Sequence, residues 1–134
     1  MSKVEPFGHP LSDLQEEPAA EYGVYDPVTL CEDKYPVTTA EFKKIQQEQY
    51  ELFCKKQLDY GPENITLGKG TEKAENRQLS LMGLWFRMND KIQRILNIVN
   101  NQVEPNNESL EDSWTDLSNY SIISILVHRN KWGK

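Results

Sequence analysis

Residues 78–100 carry Leu81, Leu84, Trp85, Met88, Ile92, Ile95, Leu96 and Val99 in unbroken step with the helical repeat. No part of the chain carries a strand signal, so this amphipathic stretch sets the fold class: its apolar side must be buried against other helices.

Two further stretches supply those helices. One opens at Thr38, where "TTAE" offers Thr38 as N-cap and Glu41 as its reciprocal partner. Phe42, Ile45, Leu52, Phe53 and Tyr60 then share an arc, and Tyr60-Gly61-Pro62 stops the helix, Gly61 suiting a left-handed residue just past its end. Residues 62–76 read as a loop, long enough to be functional or mobile. The last helix is expected to take Asn107 as N-cap, to hold Glu108 and Glu111 in its first turn, and to run to about His128. The expected architecture is all-α, a three-helix core bundle over residues 38–134, with a homo-oligomer as one way to complete the core. Residues 1–37 hold five of the seven prolines and read as an irregular arm. The stretch from Leu11 to Pro27 offers one helical turn there, and Phe7, Tyr22, Tyr25 and Tyr35 are candidates to pin the arm to the body or to a partner. A disordered tail is the alternative.

A chain of 134 residues is expected to form one domain. Its net charge of −6 argues against a duplex-nucleic-acid surface, though not against a small anion held by a local basic cluster. No apolar run reaches the roughly 18 residues of a membrane span, and the first residues lack the apolar segment of a secretory signal. Cys31 and Cys54 have neither metal spacing nor a disulfide framework, which fits reduced thiols and a cytoplasmic location. The two histidines, His9 and His128, stand apart from any nucleophile motif, and no phosphate loop is present.

The chemistry is concentrated in charged stripes. Glu108, Asp112 and Asp116, with Asn119, fall within about 80° of one another on a helical wheel, and the stripe runs on into Ile123 and Leu126. Carboxylates sharing a face with core residues need a cation, and this spacing suits Mg²⁺, with Asp112 and Asp116 as candidate catalytic groups. A solvated N-terminal face, with burial beginning only after Asn119, is the plainer reading. Arg87, Lys91 and Arg94 form a basic stripe along the apolar edge of the preceding helix. Opposed stripes make either a structural ion-pair network or a site where cations hold phosphate and acids hold metal. Lys56, Asp59, Tyr60 and Asn64 gather at the first helix stop as candidate contacts to a phosphate, base or sugar. Glu48 and Glu51 read as a solvated face.

Three segments in order, "KKQLDYGPENI", "RMNDKIQRILNI" and "ESLEDSWTDLSNYSIISIL", resemble the nucleotide modification associated domain 1 family of phage and bacteria, over roughly residues 40–130. The matching positions are Lys56, Asp59, Tyr60, Gly61 and Asn64, then Arg87, Asp90, Lys91, Arg94 and Asn97, then Glu108, Asp112, Asp116, Leu117, Asn119 and Tyr120. The resemblance implies a nucleotide-binding protein of phage-type nucleotide metabolism or DNA modification. A looser similarity to MazG-like all-α pyrophosphatases implies Mg²⁺-dependent hydrolysis or transfer at a nucleoside phosphate. The chain departs from that pattern, since its second acidic helix comes late and reads ExxE or DxxxD, not ExxD. A non-catalytic interaction protein, or one that sequesters a nucleotide without turnover, is the alternative.

Overall fold

The computed structural model describes residues 25–134, and every regular element among them is helical. The elements are α1 (Pro27–Lys34), α2 (Pro36–Tyr60), α3 (Glu63–Thr66), α4 (Ala74–Asn101) and α5 (Leu110–His128). The described residues divide into two units between Ile45 and Gln46. The expected contacts of Phe7 and Tyr22, and all but the end of the proposed helical turn, lie outside the described residues.

In the first unit, Asp26 caps α1 by accepting from the Val28 amide at 3.1 Å, with Pro27 at the first helical position. The expected irregular arm is therefore helical across Pro27–Lys34. The Thr38 capping box does not form. Pro36 opens α2 two residues earlier, its preset φ suiting a first turn, and the Thr39 hydroxyl donates back to the Tyr35 carbonyl at 2.9 Å. Phe42 and Ile45 are exposed.

The second unit contains the core. Helix α4 packs along α5, and the short α3 packs on α4. The buried apolar cluster joins Ile65, Leu84, Ile123, Val127 and Trp132, with Phe53, Leu81, Met88, Tyr120 and Leu126 packed around it. Gly61 takes the left-handed conformation expected of it, with φ of 68°. The expected loop over 62–76 instead includes α3 and the start of α4, which begins at Ala74. Ser109 caps α5, not Asn107. Its hydroxyl accepts from the Asp112 amide at 3.0 Å while the Asp112 carboxylate accepts from the Ser109 amide at 3.3 Å, and a serine bonded this way outcompetes an asparagine two residues away. Glu108 consequently lies before the helix, off the wheel on which it was placed.

Beyond α5, Asn130, Lys131 and Trp132 fold back onto the turn that follows α2. The Trp132 indole donates to the Pro62 carbonyl at 3.0 Å and meets Phe53 edge-on, ring centres 6.2 Å apart. Asn130 accepts from the Thr71 hydroxyl at 2.6 Å, and Lys134 pairs with Glu72 at 3.1 Å. Hydrogen bonds to Glu72 from Lys134 and from the Asn130 amide, the latter at 3.3 Å, hold its carboxyl below the usual range. No helix among the described residues is long and apolar enough to cross a membrane. Cys31 and Cys54 are both free thiols.

Candidate functional site

A cleft of about 240 Å³ opens in the second unit where α2 ends, lined by Lys56, Tyr60, Asn64, Arg87, Asp116 and Asn119 among others. Each reaches it for a local reason. The stop at Gly61 and Pro62 turns the chain so that Tyr60 and Asn64 flank one rim. Arg87 projects from α4 one turn beyond buried Leu84. Asp116 and Asn119 sit on the side of α5 that also carries Ile123. Phe53, Ile65, Tyr120 and Trp132 add an apolar and aromatic wall.

The polar groups divide into two sets. Facing the cleft, the Arg87 guanidinium lies 5.9 Å from the Tyr120 ring centre and donates through Nη2 to the Asn64 carbonyl at 2.9 Å. That bond leaves most of its planar fork for another partner. Lys56 reaches Asp116 at 3.2 Å with about half its side chain exposed. Asn64 Oδ1 is buried and has no hydrogen-bond partner. A buried acceptor in that state costs about 1–3 kcal/mol, which a donor on a ligand would recover.

Behind the cleft the second set is committed to structure. Lys91 Nζ bridges Glu108 at 2.8 Å and Asp116 at 2.9 Å, with the Lys91 and Asp116 side chains only 20% and 13% exposed. Burial pulls the lysine's pKa down, but the hydrogen bonds to Glu108 and Asp116 outweigh it and hold the ammonium above its ordinary value. Arg94 spends its guanidinium on the strand of chain entering α5, donating to the Glu108 carbonyl, to the Ser109 carbonyl at 3.3 Å and to the fully buried Ser113 hydroxyl at 2.5 Å.

The expected site is thus partly assembled. Lys56, Tyr60, Asn64, Arg87, Asp116 and Asn119 converge on the cleft; Asp59 is exposed and outside its lining, because it precedes Tyr60 by one residue and so points a different way from α2. Lys91 and Arg94 do not line it. The proposed metal set of Glu108, Asp112 and Asp116 is not brought together: Asp112 caps its helix, and the Lys91 ammonium stands between the other two. No group of three histidine, cysteine or acidic side chains among the described residues could hold a metal ion. Phe53, Gln57, Ile65 and Trp132 also line the cleft, though none is among the candidate site residues. A tryptophan in the polar tail "NKWGK" was the available signal, since so large a ring with one N–H seldom lacks a packed seat.

No family model, no curated protein and no solved structure matches this chain.

Proposed function

We propose that the second unit binds a nucleotide in this cleft, as part of nucleotide metabolism or DNA modification. The observation that carries the reading is the buried, unpartnered Oδ1 of Asn64, a residue that lines the cleft beside aromatic rings and the cations Lys56 and Arg87. An exocyclic amine of a base is a donor of the right kind for it. Tyr60 and Tyr120 offer faces for stacking, and Lys56 and Arg87 offer charge for phosphate, Arg87 in planar form. Some positions from each of the three segments that resemble the nucleotide modification associated domain, among them Lys56, Asn64, Arg87 and Asp116, line the cleft. Asp116 is the one carboxylate of the described residues in the lining. A Mg²⁺ arriving with the nucleotide would therefore be held mainly by phosphate oxygens and water, and capture without turnover is the form the donor set favours.

A structural network is the second reading for the Lys91–Arg94 half of the charged stripes, favoured by the complete engagement of both side chains. Titration calorimetry with nucleoside mono-, di- and triphosphates, with and without Mg²⁺, tests the whole. Binding weakened at least tenfold by Lys56→Gln is expected. Heats absent for every nucleotide, or affinity indifferent to Lys56→Gln together with Arg87→Gln, would refute the site.

A further inference from the structure

Helix α4 is apolar on two sides. Leu84 and Ile95 are buried against α5 and the core. Met82, Trp85, Phe86, Ile92, Leu96 and Val99 are 40–59% exposed, on an arc centred roughly 120° round the helix from that buried pair. Trp114, Ile122 and Ile125 of α5 are each about half exposed. Trp114 and Ile125 lie roughly 160–180° from Asp116 and Ile123, which face the cleft. The Ser121 hydroxyl meets Met88 Sδ at 3.6 Å, joining the two helices along this reverse side. The surface is therefore continuous across both helices and turned away from the cleft.

We infer that this face joins two copies of the chain. An exposed apolar patch of this breadth marks an interaction surface. The three aromatic side chains expose roughly 300 Å² between them, judged from the area such rings bury. With the aliphatic residues added, the face approaches the roughly 800 Å² per partner of a stable interface. Its chemistry selects a copy as the occupant. From Met82 to Val99 the α4 arc holds no charged side chain, in a chain of net charge −6, so two like-charged molecules meet along α4 where neither carries charge. Its polar members, Asn89 and Gln93, are amides. An amide is both donor and acceptor and can pair with its own twin across a twofold axis, fixing register as a buried asparagine does in paired helices. The cleft stays open on the far side, giving one per copy.

Sedimentation equilibrium on the full chain tests this. The expected mass is twice 15.6 kDa, and dilution of the wild-type protein should shift tryptophan emission to the red as Trp85 and Trp114 meet water. Leu96→Lys is expected to give a monomer of unchanged far-UV helicity. Should that variant fail to fold, Asn89→Asp with Gln93→Glu alters only polar positions and is expected to weaken association at least tenfold at neutral pH and low salt. A wild-type monomer across micromolar to submillimolar concentrations would overturn the inference, leaving the face to the first unit or to another protein. So would a dimer indifferent to the Asn89 and Gln93 changes.

Discussion

Replacing Lys91 with methionine keeps most of its volume and removes one ammonium. In the wild-type protein that ammonium lies 2.9 Å from Asp116 and 2.8 Å from Glu108. An exposed ion pair contributes about 0–1 kcal/mol, whereas stranding the partner of a buried pair costs about 3–5 kcal/mol. This network sits between those limits. Asp116 is 13% exposed but keeps Lys56 at 3.2 Å, and Glu108, at 38%, can return to water. A loss of about 2 kcal/mol follows, or about 8 °C in Tm for a domain of this size. The pH dependence has a definite sign. Lys91 is raised in the folded state above its ordinary 10.5, so its stabilising effect is complete below that value and is lost as pH climbs through the folded pKa. Thermal melts followed by circular dichroism should show a constant gap between wild type and Lys91→Met from about pH 7 to 10, narrowing in stronger alkali. A double-mutant cycle with Asp116→Asn should return a coupling of at least about 1 kcal/mol. Additive losses, or a gap that widens in alkali, would refute the bridging role.

Arg94→Lys should be nearly as damaging as Arg94→Ala, each lowering stability by about 2–3 kcal/mol in urea titrations, because a point charge cannot serve two carbonyls and a buried hydroxyl as a planar fork does; full rescue by lysine would show that charge alone matters. Gly133→Ala combines a φ of 73° with a new methyl 2.9 Å from the Pro62 side chain, so it should cost at least about 1 kcal/mol and shift Trp132 fluorescence, and an unchanged spectrum would contradict the tight seat of the tail.

The fold class was readable because helical periodicity is a local property, and the stop at Gly61 because a left-handed residue followed by proline has few other uses. Boundaries were less readable wherever two caps competed. Pro36 displaced Thr38, and Ser109 displaced Asn107, through bonding that depends on the conformation reached. That second displacement dismantled the acidic stripe, since a wheel drawn from Glu108 assumes Glu108 is helical. Opposed charge on α4 and α5 was legible, and Lys91 does meet Asp116. Which cations would be consumed by structure was not, because Arg94 binds backbone carbonyls and sequence patterns carry no trace of them. The aromatic wall was missed for a related reason: Phe53 and Trp132 are far apart along the chain, and only the path of the tail past Pro62 makes them neighbours.

That path has a consequence for biosynthesis. The indole at residue 132 completes the aromatic wall from a seat, the Pro62 carbonyl, that is translated seventy residues earlier. At typical elongation speeds several seconds separate the two. Until Trp132 leaves the ribosome the cleft lacks this part of its wall, and a chain stopped before that residue would have its helices formed and its cleft open on one side.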